Sequence, residues 1–249
     1  MRENDEQAEI QKECFKFMEE MKIQKENRKK YKLINNGKEI IENFTIHMIP
    51  DLNGYEDPYI NLQSKLIKSI KDLDMVNENL IESYVIWEEV KNETPKIKIY
   101  NTYYYTKLNK LNEYIIYDLK IVADEMISII CVMKGKMRDD KIIISSIGEY
   151  INYQKKCENS NQYDFDEFNE FIDLFEKLNN VFNANKHSYS KADILVIGAN
   201  ENCFSTTYTK MNDFSKNTIH FVISSEYIVD EFNKFYLAVL DVIGKLTKK

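Results

Sequence analysis

The fold depends most on residues 100–137, which have the sequence YNTYYYTKLNKLNEYIIYDLKIVADEMISIICVMKGKM. Apolar residues recur there every three or four positions, as they do along one side of an α-helix. They are Tyr104, Leu108, Leu111, Ile115, Leu119, Val122, Met126, Ile129, Ile130 and Met133. No proline interrupts the pattern, so we predict a single long helix with Tyr103–Tyr105 as packing residues near its start. This helix is the centre of a mainly α-helical protein.

The same periodicity predicts helices on both sides of this segment. Residues 60–73 and 80–87 outline two helices, which end before the helix-breaking Pro95. Residues 141–156 form another predicted helix, preceded by Asp139 and Asp140. Two more helices cover residues 168–187 and 228–243, with Asp164 or Asp166 capping the first and Ser224 or Ser225 the second.

A change of period predicts a small antiparallel sheet between the last two helices, at about residues 193–224. Residues 193–198 and 219–223 are continuous apolar runs, and residues 203–209 are rich in Thr and Tyr. Such short β-branched and aromatic runs favour strands. The polar sequence Asn200-Glu201-Asn202 is a candidate hairpin turn between the first two strands.

The chain is predicted to contain an N-terminal helical arm at residues 1–50 and a helical bundle domain at residues 51–249. A charged helix with an apolar stripe covers residues 5–31, and residues 44–58 contain two prolines and a glycine, which is typical of a linker. The arm is expected to pack on a partner or on the main body.

Composition restricts the class of protein. The net charge of −7 disfavours non-specific coating of nucleic acid, which depends on many Lys and Arg contacts to phosphate. No apolar run of membrane-spanning length and no signal-peptide pattern is present. The four cysteines lack metal-ligand spacing. These features predict a cytoplasmic protein with no membrane association, no metal and no other cofactor.

Residues 178–189, LNNVFNANKHSY, contain the candidate catalytic site. Asn183 and His187 are four residues apart, so they share one face of the predicted helix, with Lys186 beside them. His187 is suited to acid/base chemistry, Lys186 to stabilising phosphoryl charge, and Asn183 to orienting the imidazole or a substrate hydroxyl. The alternative is structural: Lys186 and His187 are cations at the negative end of a helix.

The sequence N-x-x-N-x-N-K-H-S at the end of this helix resembles the HEPN superfamily, whose motif is often written R-N-x-x-x-H. Asn183 and His187 match that motif, whereas Phe182 stands at the position of the arginine. The resemblance implies a HEPN-like helical bundle of the kind found in bacterial defence and toxin–antitoxin systems. Active members are metal-independent ribonucleases that work as dimers. Since Lys lacks the bidentate fork of Arg, the loss of arginine favours a non-catalytic member.

Our preferred hypothesis is therefore a HEPN-like protein that binds RNA or a partner protein. One alternative is a metal-independent endoribonuclease using His187; another is a purely structural helical interaction protein or homodimer formed through the long helices. A small-ligand pocket between helices is a third possibility. The RNA hypothesis expects Lys177 and Lys191 near Lys186, and Arg138 is a candidate substitute for the missing arginine.

Overall fold

The computed structural model describes residues 32–34, 57–91, 102–138, 141–160, 165–187, 191–193, 202–208 and 219–247. Apart from residues 32–34, the predicted N-terminal arm and its boundary at residue 50 lie outside these ranges. The chain divides into two units, residues 1–32 and residues 33–249. The structure described below is that of the second unit.

The described residues are mainly α-helical, which confirms the predicted class. The helices are α1 (Asp57–Val90), α2 (Thr102–Met133), α3 (Ile147–Ser160), α4 (Ile172–His187) and α5 (Ser225–Thr247). A 3-10 turn, Asn169–Phe171, leads directly into α4. Among these helices, none combines the length and the apolar composition that a membrane span needs.

Helix α1 is continuous where the sequence predicted two helices. Leu73, Val76 and Leu80 are all buried, so the apolar stripe continues through the polar stretch between the two predicted segments. Pro58 is the second residue of α1, where the missing N–H costs no hydrogen bond. The prediction of a break was therefore wrong.

Helices α1 and α2 form an antiparallel hairpin. The Ser69 hydroxyl near the start of α1 donates to Glu125 near the end of α2, at 2.7 Å. At the opposite end, Lys107 of α2 forms an ion pair with Glu82 of α1. The long helix predicted from residues 100–137 is thus confirmed, with ends a few residues inside the predicted ones. The side chains of Tyr103–Tyr105 lie outside the described residues.

The C-terminal half of α2 is the centre of the bundle. From Val122 to Met133 every side chain is buried except those of Asp124 and Glu125, which are partly exposed. A helix that is apolar around its whole circumference must be enclosed by other elements. Accordingly, α2 packs against α1, α3, α4 and α5.

The predicted helix at residues 141–156 begins six residues later than expected. Strands β1 (Met137–Arg138) and β2 (Lys141–Ile142) form a short antiparallel hairpin, and α3 starts only at Ile147. Ser146 and Glu149 fix this start: the Ser146 hydroxyl accepts the Glu149 N–H at 3.1 Å, while the Glu149 carboxylate accepts the Ser145 N–H at 2.7 Å. This is a variant of the capping box, a sequence signal of a helix start.

An aromatic cluster joins α3, α4 and α5. Tyr150 of α3 contacts three phenylalanine rings, with centroids 5.4 to 6.2 Å away, and Phe235 of α5 contacts four, at 5.1 to 5.7 Å. Most of these contacts are edge-to-face, the geometry that the ring quadrupole favours. The phenylalanines are Phe165, Phe168, Phe171, Phe175 and Phe232.

The start of α4 uses this cluster in place of the predicted aspartate cap. Phe168 stands at the N-cap position of the 3-10 turn and makes no side-chain capping bond. Asp166 contributes its backbone carbonyl, which accepts the Asn169 N–H at 3.1 Å, and Asp164 lies outside the described residues. The prediction of an Asp166 side-chain cap was wrong, because ring packing holds this turn.

The predicted antiparallel sheet near the C-terminus is present, with strand order β3 (Lys191–Asp193), β4 (Cys203–Tyr208), β5 (Ile219–Ser224). Phe204 and Ile223 are register partners on β4 and β5, and both are buried. The first strand begins two residues before its predicted start, and residues 194–201 lie outside the described part. Ser224 caps α5 as predicted, since its hydroxyl accepts the Tyr227 N–H at 3.1 Å.

Asn202 attaches this sheet to the α1–α2 hairpin. Asn202, the last residue of the predicted hairpin turn, is 2% exposed, and its amide donates to Asn112 of α2 at 3.1 Å; Asn200 and Glu201 lie outside the described residues. The backbone carbonyl of Asn202 accepts both the N–H and the hydroxyl of Ser225, at 2.9 and 2.8 Å. Buried amides need such partners, so this network fixes the position of β4 on the bundle.

The Tyr150 hydroxyl provides a test of the aromatic cluster. It donates to the Asn169 carboxamide oxygen at 2.9 Å and accepts the Phe168 N–H at 3.2 Å. We expect Tyr150→Phe to lower the free energy of unfolding by about 1–3 kcal/mol, because the buried Phe168 N–H and the partly buried Asn169 oxygen lose their partner. Urea denaturation followed by circular dichroism measures this change. As a control, Tyr114→Phe at a 56% exposed position should stay within about 0.5 kcal/mol of wild type. Equal effects of the two substitutions would contradict the assignment.

Candidate functional site

Helix α4 divides the candidate segment into a core-facing side and an outward side. Leu178, Val181 and Ala184 are buried, whereas Asn180, Asn183 and Lys186 are exposed. The helix ends at His187, as the sequence predicted, but the His187 side chain lies outside the described residues. Of the three predicted site residues, the structure therefore places Asn183 and Lys186 on the surface of the last two turns.

Helix α3 covers the earlier turns of the polar face. Glu176 forms an ion pair with Lys155 of α3 at 2.8 Å. Asn179 is partly buried beside Gly148 of α3, where an added Cβ would lie 3.3 Å from the Asn179 oxygen. Among the described residues, α3 therefore covers the outward side of α4 at Glu176 and Asn179, while Asn180, Asn183 and Lys186 stay exposed.

Phe182 packs against α2. Its ring centroid is 5.1 Å from that of Tyr117. The Lys120 ammonium of α2 lies 4.6 Å from the Phe182 centroid, and the Lys186 ammonium lies 5.8 Å from it. The position of the motif arginine therefore holds an aromatic ring with two lysine ammonium groups within 6 Å, a distance at which a cation and a ring attract each other.

Lys120 is a site residue that sequence reasoning missed. Its ammonium forms an ion pair with Asp124, one turn later in α2. The other oxygen of Asp124 accepts the N–H of Ile147, the first residue of α3, at 2.9 Å. Spacing of four residues predicts the ion pair. It does not predict that Lys120 faces α4, which depends on the packing of two distant segments.

Burial controls the charge of the acidic residues near this site. Burial raises the pKa of Asp124 above its ordinary value, although the hydrogen bonds from Lys120 and Ile147 act in the opposite direction. Burial also raises the pKa of Asp118, and the negative charge of Asp72 on α1 adds to this effect. Asp118 is thus part of the α1–α2 contact, on a different side of α2 from Phe182.

The acidic side chains between α1 and α2 are paired with a lysine. The Lys68 ammonium lies 2.8 Å from Asp72 and 3.3 Å from Glu125, and the hydrogen bond to Asp72 contributes most to raising the pKa of Lys68. In the described part of the chain, no three His, Cys, Asp or Glu side chains are grouped so that they could hold a metal ion. The candidate site therefore consists of lysines, aromatic rings and an amide.

Two exposed tyrosines of α2 extend the site. Tyr114 is 56% exposed and Tyr117 is 49% exposed. Helices α2 and α4 are antiparallel, because Tyr117 meets Phe182 while Lys134 beyond the end of α2 forms an ion pair with Glu167 before α4. Tyr114 is therefore level with the last turn of α4. We call the surface formed by Tyr114, Tyr117, Phe182, Asn183 and Lys186 the tyrosine face.

Lys177 does not join the tyrosine face. Lys177 precedes Lys186 by nine residues. Nine residues make two and a half turns of an α-helix, so Lys177 lies on the opposite side of α4. There its ammonium is 2.5 Å from Asp173 and 4.0 Å from the ring centroid of Tyr227 on α5. The Lys177 hydrogen bond is the main cause that lowers the pKa of Asp173. The side chain of Lys191 lies outside the described residues.

Arg138 lies at the wrong end of α4 to replace the missing arginine. It is in β1, shortly after Lys134, which pairs with Glu167 at the beginning of α4. Phe182 is fifteen residues beyond Glu167, or roughly 20 Å along the helix axis. Among the described residues, Lys120 and Lys186 are the cations within 6 Å of the Phe182 ring, and the expectation for Arg138 is corrected.

No protein-family model, no curated protein and no solved structure matches this chain. The resemblance to the HEPN superfamily therefore depends on the sequence at the end of α4.

Two substitutions test how the Asp124 carboxylate contributes to stability. Asp124→Ala should lower the free energy of unfolding by about 1–3 kcal/mol, because the Ile147 N–H and Lys120 lose a buried acceptor. Asp124→Asn keeps an oxygen for Ile147 and removes the buried charge, so it should be less destabilising. Urea denaturation at neutral pH distinguishes the two variants. Equal losses would show that the carboxylate charge, and not only the acceptor, is required.

The pH dependence of the same variants follows from the raised pKa. Between the ordinary pKa of 3.8 and the raised value, the folded protein binds more protons than the unfolded chain. The contribution of Asp124 to the free energy of unfolding therefore falls as the pH rises through this window. We expect wild type to lose stability relative to Asp124→Asn over that range. A constant difference between the two proteins would contradict the assignment.

Proposed function

We propose that this protein is a HEPN-like, non-catalytic RNA-binding protein and that the tyrosine face is its RNA-binding surface. The observation that carries the proposal is the placement of Lys120 and Lys186 around Phe182. Lys186 provides a local positive charge for a phosphate at the end of α4, next to the Lys120–Asp124 ion pair, in a chain with a net charge of −7. Binding in this form is local and does not need a basic protein.

The non-catalytic part of this proposal is based on the residue at position 182. An arginine there would offer a planar, bidentate donor to a charged phosphorane, whereas Phe182 offers none. Lys120 is held by Asp124 and Lys186 is exposed, so both are point charges at the edge of the site. They are suited to holding a phosphate and lack the geometry of the arginine fork. The HEPN resemblance adds a role in bacterial defence or in a toxin–antitoxin pair to the proposal.

Replacement of Lys186 tests the binding surface. We expect Lys186→Gln to weaken RNA binding and to reduce the slope of log K against log salt concentration by about 0.7, the value for one lost phosphate contact on a single strand. Fluorescence anisotropy of a short labelled RNA over a salt series measures both quantities. Lys245→Gln is the matched control, because Lys245 is exposed and has one ion pair on its own helix, with Asp241.

The outcomes separate the proposal from its rivals. An unchanged slope in Lys186→Gln, or an equal change in Lys245→Gln, contradicts the assignment of the surface. Incubation of the wild-type protein with the same RNA should leave the RNA intact. Cleavage that disappears in His187→Ala would instead support the metal-independent ribonuclease. Failure of the wild type to bind any RNA would favour the structural interaction protein.

A further inference from the structure

We infer that the tyrosine face selects single-stranded RNA by stacking bases on Tyr117 and Tyr114, an inference that rests on the proposed RNA-binding function. The Tyr117 ring is packed against Phe182 at a centroid distance of 5.1 Å, yet the residue is 49% exposed. A ring that is supported on one side and open on the other is a fixed platform for a nucleobase. Stacking on such a platform tolerates any base, since every base has a π-face.

Tyr114 supplies a second platform beside the first. It precedes Tyr117 by three residues, so the two side chains leave α2 on the same side, with Cβ atoms about 5–6 Å apart. Both residues have roughly half of their surface exposed. Two adjacent platforms at this spacing suit two neighbouring bases of one strand.

The charges around the rings favour a nucleic acid as the occupant. Lys186 and Lys120 lie on the α4 side of Tyr117, where a phosphate linking two stacked bases can approach them. Asp118 lies one turn from Tyr114 on α2, so a phosphate is better placed beside Tyr117 and Lys186 than beside Tyr114. A strand that crosses the tyrosine face therefore meets lysine and amide groups next to the rings.

A duplex cannot use these platforms. Its bases are stacked on one another, and the major groove of A-form RNA is too deep and narrow for side chains to enter. Tyr114 and Tyr117 lie on the surface of helix α2, and their rings are exposed at its side. Single strands, loops and bulges are the substrate class that this surface fits.

The test compares a labelled single-stranded RNA with the same RNA annealed to its complement. We expect wild type to bind the single strand at least about tenfold more tightly than the duplex. Tyr117→Leu should weaken single-strand binding about tenfold, while Tyr117→Phe, which keeps the ring, should stay close to wild type. Thermal denaturation of each variant checks that folding is retained, and Tyr114→Leu provides a second variant that does not touch Phe182.

Each outcome has one meaning. Weakening by both Leu variants with retention in Tyr117→Phe supports stacking. Equal affinity for single strand and duplex, or normal binding by both Leu variants while Lys186→Gln binds poorly, overturns the stacking inference and leaves the proposed function intact. Loss of all RNA binding by wild type overturns the proposed function itself. Dissociation of a dimer in Tyr117→Leu, with unchanged RNA affinity, would assign the tyrosine face to a second copy of the chain and overturn the inference.

Discussion

The burial of α2 from Val122 to Met133, partial only at Asp124 and Glu125, is the constraint on which this structure depends. From Val122 to Met133 the helix has apolar side chains on nearly every side, so four other helices are needed to remove them from water. The polar residues in this stretch then require partners. Asp124 finds them in Lys120 and in the first N–H of α3. The lysine beside Phe182 is consequently held by the same carboxylate that fixes the beginning of a neighbouring helix.

The sequence predicted those parts of the fold that depend on local periodicity. The long central helix, α4, the sheet near the C-terminus and the Ser224 cap of α5 are examples, because their signals lie within a few residues of one another. The predicted break in α1 was wrong. The buried Val76 connects the apolar residues of the two predicted helices, but it stands among polar residues, so the sequence pattern did not show the connection. The predicted start of α3 at residue 141 was also wrong, because the helix begins at Ile147. The Ser146–Glu149 capping pair marks this true start in the sequence.

The candidate site was predictable to a smaller extent. The outward position of Asn183 and Lys186 follows from their helical spacing. The same spacing predicts that Lys177, nine residues before Lys186, lies on the opposite side of α4. Lys120 and Tyr117 belong to the site only because α2 and α4 cross at Phe182. Side-chain contacts between segments about sixty residues apart have no signature in a single sequence.

The enclosure of α2 also determines when the chain can complete its core during synthesis. Met133 leaves the ribosome roughly 100 residues before Phe235, whose ring contacts Phe168, Phe171 and Phe175. At translation rates of about 5–20 residues per second, the buried half of α2 waits roughly 5–20 s for α5, the last helix that packs against it. Until α5 emerges, part of that surface stays accessible to chaperones and to other nascent chains.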